Sequence, residues 1–591
     1  MEKNRETIIF SELPKLVRET ELISKNRTKK TWEEVPYETD SISGSMLGAF
    51  CESFPEPITL KLGLNGWYKV YIALFCTGEE SYTYVKLSGR PDWTAARYGR
   101  KFAPKMWKSI EYAQEVYAFS ADLTGQDLQI ARPISAGGNT SAVMWVRLVP
   151  VEREEEEVLK AEFRDPVNCT MHMHLDGDIS CEDAPKRVED FCARNYALGE
   201  SDAEVISQEI SFDFSGEFTT SDAENLLVIN PIDRHWNRHD AIYLQKREEI
   251  AKQRIQIAHE NGQKIYAANR MQISNFGFPY HRPAWNMDFF EKHPEYRTVW
   301  RDGQVMGFCS YAFREVREYM AEQLMEHLKL GYDGLTLLWN RGMFIGFEQP
   351  VIDLFSAKYP GLNPCLLPMT DHRLYEVWDE LMTEFVRLLR KKVSVLEQQQ
   401  HRKIFIHVIG GYHVAEDRKI GLNFARWAKE GLIQEASQAD MEMHELLEDC
   451  MSDTVEELID LEKYRHKGRT QKIIQRCHGT NLEKEIAGMP GYLELEEKWG
   501  VKVYHTLPWV HSRRPEEYAL AAKTLYEAGA KRLLMWNTLQ CIPDLAEWNV
   551  VKRLGHREEL DRLSKEQYSQ YVKILSVGGM DIRYFNPCWR G

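Results

Sequence analysis

A chain of 591 residues is too long for one compact core, so two or more domains are expected. With 43% hydrophobic and 28% charged residues, and no apolar run near the roughly 18 residues of a membrane helix, the composition excludes an integral membrane protein. A formal charge of −15 without a concentrated basic face excludes general nucleic-acid binding and suits a neutral or weakly charged small substrate.

The opening MEKNRETIIFSELPKL has neither the apolar core nor the small-residue cleavage pattern of a secretory signal, which predicts a cytoplasmic location. The 11 cysteines include no CxxC pair and are expected to be reduced. From Ile58 to about Val151 the segments ITLKLGL, YKVYIALFC, SYTYVKLSG, DLQIARPI and AVMWVRLVP alternate in short steps between Gly, Pro, Asp and Asn turns. That pattern predicts a β-sandwich. The acidic run VEREEEEVLKAEF then changes the pattern and marks a boundary, giving a sandwich with its leader over 1–160 and a second domain over 161–591.

Beyond the boundary, short apolar strands alternate with long amphipathic helices. The strands are NCTMHMHL, VISQEISF, KIYAANRM, GLTLLWN, KIFIHVIGG, GLIQEAS, then KIIQRCHG or VKVYHTLPW, and RLLMWNT. Helices such as REEIAKQRIQIAHENG and REYMAEQLMEHLKLG end in Gly, as a helix C-cap should. Repeated β-then-α order predicts a (β/α)8 barrel, and the absence of GxGxxG after a strand speaks against a doubly wound nucleotide fold. Barrel chemistry gathers where strands end. The residues at those ends are His172, His174, Asp176 and Asp178; Glu209 and Asp213; Asn269, Arg270 and Gln272; Trp339, Asn340 and Arg341; His407; Glu435; His478 or His505; and Trp536 with Asn537.

By the third and fourth strands a resemblance emerges. The runs KREEIAKQRIQIAHENGQKIYAANRMQ, FFEKHPEYR, SYAFREVREYMAEQLMEH and GYDGLTLLWNRGMFIGFEQP resemble a family of glycosyl-hydrolase-like proteins related to family ten, which carry a TIM barrel behind a sandwich domain. LTGQDLQIARP, VMWVRLVPV, YALAAKTLYEAGAKRLLMWNT and ILSVGGMDIRYFNP resemble the same group, so the likeness runs from about Leu62 onward. It implies a carbohydrate substrate. One departure is that LLWNRG places Asn340 before Arg341 where the group carries an acidic residue. VKVYHTLPW likewise ends without the Glu of the broader clan of retaining glycosidases.

Glycoside hydrolysis ordinarily needs two carboxyl groups, one as acid and one as nucleophile or base. The candidates are Asp176, Asp178, Asp213, Glu348 in the loop after strand four, and Glu435. Glu435 and Asp176 are the expected pair: both are read at strand C-termini, where mutual repulsion would keep one protonated. Substrate-holding roles are expected for Arg270, Asn269, Trp339, Asn340, Arg341, His407, His505, Trp509, Trp536 and Asn537, with rings stacking on sugar faces and arginines orienting carboxylates. No cofactor is required. HxHxDxD admits a divalent metal as the alternative, held by His172 and His174 with Asp176 and His407, although GLIQEAS lacks a further histidine and RLLMWNT a terminal aspartate. A non-catalytic carbohydrate-binding protein is the competing class. The sandwich, which resembles a carbohydrate-binding module, is expected mainly to pack on the barrel. The expected partner is a short oligosaccharide or glycoside, with no nucleic acid, no membrane and room for a homo-oligomer.

Overall fold

The computed structural model describes residues 6–50, 53–75, 81–90, 93–97, 111–132, 140–153, 156–157, 167–175, 188, 192–209, 234–271, 289, 292–339, 344–368, 370–438, 482–507, 514–536, 538, 545–566 and 568–584. The N-terminal region is strand-rich, as its alternating pattern requires. A nine-stranded sheet includes Trp32–Thr39, Ser43–Ala49, Ser141–Pro150, Trp67–Leu74 and Tyr112–Asp122. A four-stranded sheet of Ile58–Leu60, Leu128–Ala131, Tyr82–Leu87 and Thr94–Arg97 lies against it. Trp32, Val70, Ile72 and Val143 from the first share one buried cluster with Ile58, Val85 and Ile130 from the second.

One strand departs from the two-part division of the chain. Ser569–Val577, in the segment read with the barrel, joins the first sheet between Tyr112–Asp122 and Trp32–Thr39 and pairs antiparallel with both. The sheet thereby closes on itself around a second cluster that contains Tyr37, Met46, Phe75, Trp145 and Ile574.

The remaining strands form the closed barrel: β1 (Met171–Leu175), β2 (Ala203–Glu209), β3 (Lys264–Arg270), β4 (Gly334–Leu338), β5 (Phe405–Ile409), β6 (Glu435–Ser437), β7 (Lys502–Leu507) and β8 (Leu533–Met535). Every pairing is parallel, and β8 returns to β1. Of the two candidates for the seventh strand, VKVYHTL forms it; KIIQRCHG lies outside the described residues. Strands covered on both faces read as continuous buried runs, and MHMHL and GLTLL are buried throughout. The helices include α1 (Arg234–Glu260), α2 (Arg314–Leu330), α3 (His372–Gln400), α4 (Leu482–Trp499) and α5 (Pro515–Glu527). Helix α2 stops at Gly331, whose φ of 117° is left-handed and suits glycine. No helix among the described residues is long and apolar enough to cross a membrane.

Candidate active site

Alternation along a parallel strand puts every second side chain into the barrel. Strands β1, β3, β5 and β7 contribute His172, Tyr266, His407 and Tyr504 to one layer of rings. His172 lies 4.4 Å from His407, 5.0 Å from Tyr504 and 5.9 Å from Tyr266, centroid to centroid. Four side chains from alternate strands are the usual filling of such a barrel. Tyr266 needs space beneath it: a Cβ on Gly334 would come within 2.8 Å of its ring.

The strands between supply hydroxyls. His172 Nε2 lies 2.5 Å from Ser207 Oγ, Ser207 Oγ 2.5 Å from Thr336 Oγ1, Thr336 Oγ1 3.2 Å from His407 Nδ1, and His407 Nε2 2.8 Å from Ser437 Oγ. All five side chains are fully buried. Burial, then the neighbouring His407 and His174, holds His172 well below the ordinary histidine range, and burial pushes His407 down to about 3. Both imidazoles are neutral at pH 7. The layer is packed core, and it separates the two mouths of the barrel.

Toward the strand ends the lining becomes charged. Glu209, the last residue of β2, meets Arg270, the last residue of β3, through Nε to Oε1 at 2.6 Å and Nη2 to Oε2 at 3.1 Å. Glu209 is wholly buried, whereas the Arg270 side chain keeps 16% exposure. His174 Nε2 lies 3.8 Å from Glu209 Oε2. The His174 ring lies flat on Trp536, 4.1 Å away with 1° between the planes. Four residues from β1, β2, β3 and the end of β8 thus come together at the C-terminal mouth. The sequence places Glu209 at a strand end, yet the carboxylate it points to after β2 is Asp213. The spacing of Val205, Ser207 and Glu209 on one strand face was the available signal.

Other expected residues fall elsewhere. Glu435 is the first residue of β6, not its end: it pairs with Lys502 at the start of β7, two residues before the Ser437 that bonds His407. It therefore lies on the strand-start side of the ring layer, where Tyr266 Oη donates to its Oε1 at 3.0 Å and burial raises its carboxyl to about 7. β1 ends at Leu175 on the opposite side of the layer, and Asp176, the expected partner, lies outside the described residues. Glu348 caps the Gln349–Lys358 helix and accepts from the backbone N–H of Val299 at 2.8 Å and Gly346 at 3.0 Å, so it fastens loops outside the lumen. Trp339 turns to the helix layer, among the rings of Tyr311, Phe344, Phe385 and Trp427. Asn269 alternates to the face opposite Arg270 and donates to Ala267 O. His505 faces the helices as well: its Nδ1 lies 2.7 Å from Gln438 Oε1, and Gln438 Nε2 donates to Glu485 O on α4. Asp176, Asp178, Asp213, Asn340, Arg341, Trp509 and Asn537 lie outside the described residues.

Of the histidines in the metal alternative, His172 has Nε2 at Ser207, and His407, its further ligand, has both ring nitrogens at hydroxyls; Asp176 lies outside the described residues. Among the described residues, three ligating groups come within reach of one ion only at His556, Glu558 and Glu559. There His556 Nδ1 is taken by Asp202 at 2.8 Å and Glu559 pairs with Arg562 at 2.9 Å.

No family model and no curated protein sequence matches the chain. Solved structures similar to it include the PgaB (BpsB) glycoside hydrolase domain from Bordetella bronchiseptica, with 10% identity over 67% of this chain and 99% of that one and a TM-score of 0.35. Others are the maltogenic alpha-amylase AmyB from Thermotoga neapolitana, with 10% identity, 68% and 79% coverage and a TM-score of 0.33, and a GH18 chitinase from Pseudoalteromonas aurantia, with 9%, 65%, 99% and 0.30. Similarity this faint carries no residue, substrate or reaction across to this chain, and the barrel rests on its own strand pairings.

Proposed function

We infer that the chain is a glycoside hydrolase whose chemistry takes place at the C-terminal mouth of the barrel, with Glu209 as one of its two carboxyl groups. The observation that carries this reading is the Glu209–Arg270 ion pair. Burying a charge pair costs several kcal/mol of desolvation per ion, and apolar residues would fill a purely structural position with less penalty. At the mouth where barrel enzymes gather their reactive groups, such a pair is better suited to chemistry. The bidentate guanidinium holds both carboxylate oxygens, which fits a nucleophile or base in place of an acid. The acid then comes from the chain after Leu175 or Glu209, where Asp176, Asp178 and Asp213 are the carboxyls. Trp536 and His174 wall the site with flat rings of the kind that pack on sugars. The resemblance in the helix and strand runs supplies the substrate class.

The test is turnover of a panel of aryl glycosides and short oligosaccharides by the wild type and by Glu209→Gln. Gln keeps an oxygen for Arg270 while removing the charge, so kcat should fall at least about a hundredfold with the circular dichroism unchanged. Near-normal turnover by the folded variant would refute the assignment. Thermal stabilisation by a sugar that the wild type never cleaves would favour the binding protein instead.

A further inference from the structure

The opposite mouth of the barrel holds features that hydrolysis at Glu209 does not use. A cavity of about 360 Å³ opens where the strands begin, lined among others by Lys264, Lys403, Phe405, Glu435, Trp499 and Lys502. We propose that it is a binding site for a phosphate-bearing small molecule, separate from the site at the C-terminal mouth.

Charge is the first argument. Lys264 Nζ lies 4.7 Å and Lys403 Nζ 4.9 Å from the centroid of the same ring, Phe405. Neither ammonium has a carboxylate within ion-pair distance among the described residues. Lys502 Nζ is 2.5 Å from Glu204 Oε2, and the other Glu204 oxygen takes the hydroxyl of Tyr504 at 3.0 Å. Both ammoniums border the cavity at the same ring with no carboxylate at either among the described residues, so an anion entering it is attracted by both.

The second argument is independent of the lysines. Glu435 is 1% exposed, lines this cavity, and uses only Oε1, on Tyr266; Oε2 has no partner. Leaving a buried polar atom without a partner is costly, and one that borders a cavity can be met by a ligand bound there. The groups facing Glu435 are Lys264 and Tyr266 on β3, Lys502 and Tyr504 on β7, and Glu204 on β2. Burial outweighs the pull of Lys502 and Lys264 and raises the carboxyl to about 7, so near neutrality about half of the molecules carry a proton there, which Oε2 can donate. Three ammoniums and one carboxylic acid are all donors, and a phosphate group offers acceptor oxygens for them together. The cavity exceeds one phosphate ion in size and falls in the range of about 300–1,000 Å³ typical of small-molecule pockets. Phe405 and Trp499, the latter 41% exposed at the rim, give the rest of the ligand an apolar surface. The layer of His172, Tyr266, His407 and Tyr504 divides this cavity from the other mouth, so ligands at the two ends do not compete.

Isothermal titration with inorganic phosphate and with phenyl phosphate, at ionic strength matched by chloride, tests the proposal. Saturable binding is expected for both, tighter for phenyl phosphate because its ring reaches Phe405 and Trp499. In the Lys264→Gln/Lys403→Gln double variant the affinity for both probes should fall about tenfold or more, since two of the charges are gone. Quenching of Trp499 fluorescence by phenyl phosphate, lost in Trp499→Phe, locates the site even if the double variant fails to fold. Absence of saturable binding, or equal affinities and an unchanged fluorescence response in the variants, would overturn the proposal.

Discussion

Glu435 shows how burial alone changes what a residue does. Its folded carboxyl is raised to about 7 from the ordinary 4.5. The folded protein therefore keeps a proton that the unfolded chain gives up near 4.5. The stability this confers is complete below 4.5 and is lost as the pH rises through 7. Asp417 behaves alike: burial raises it to about 7, against the hydrogen bonds it accepts from Gly411 N at 2.8 Å and Tyr492 Oη at 3.2 Å. The buried histidines act in the other direction. His407 and His327 near 3 and His505 near 4 favour the folded state above 6.5, and that contribution is lost as the pH falls toward 3. A single variant separates these effects. Going from pH 5 to pH 8, wild type should lose about 2 kcal/mol relative to Glu435→Gln, because most of the linkage between 4.5 and 7 falls in that window and disappears with the carboxyl. Denaturant unfolding at both pH values, in phosphate-free buffer, measures this. Parallel stability curves for the two proteins would show that Glu435 does not titrate in this range.

At the scale of the element, what was legible in the sequence followed from period and failed where a strand's limits or facing had to be known. HMHL alternates and puts His172 with His174 on one face, and VISQE puts Ser207 with Glu209 on one face, with Gln208 on the other. The barrel and its order of strands were legible for the same reason. In GLIQEAS the apolar Leu432 and Ile433 look like the strand, yet they are buried before it starts; β6 is only Glu435–Ser437, and this reverses the end at which Glu435 sits. Trp339 follows a strand as a pocket residue would, but Thr336 fixes Leu338 to the inner face and sends Trp339 outward, a parity that pattern alone cannot anchor. Thr336 also gives the element-level prediction. Its hydroxyl stands between Ser207 and His407, so Thr336→Val preserves the shape and leaves two buried groups one partner short. The cost should be about 1–3 kcal/mol in denaturant unfolding, with most of it recovered in Thr336→Ser. A Val variant as stable as wild type would mean that the hydroxyl chain does not support the core.

For the whole molecule, the decisive contact joins the end of the chain to its beginning. The barrel closes with eight strands and has no free edge for a ninth, so SQYVKILSV can satisfy its backbone only on another sheet. It does so between Tyr112–Asp122 and Trp32–Thr39, where Gln570 Nε2 donates to Glu115 Oε1 at 2.7 Å and Ile574 is fully buried. The strand Tyr112–Asp122 also meets the helix Leu545–Val551, whose Asn549 donates to Ala118 O, and the ring of Tyr117 lies 6.4 Å from that of Tyr568. The strand-rich region and the barrel are thus tied where the chain passes between them at about Val151 and again by the returning tail. Ile574→Ala removes buried methyl groups from a cluster that Tyr37, Met46, Phe75 and Trp145 complete. It should cost about 2–5 kcal/mol, and the loss should show first in the N-terminal sheets, as faster proteolysis within residues 1–150 below the temperature at which the barrel opens. A cost under about 0.5 kcal/mol, the range of surface substitutions, would mean that the tail strand only rests on the sheet and does not complete it.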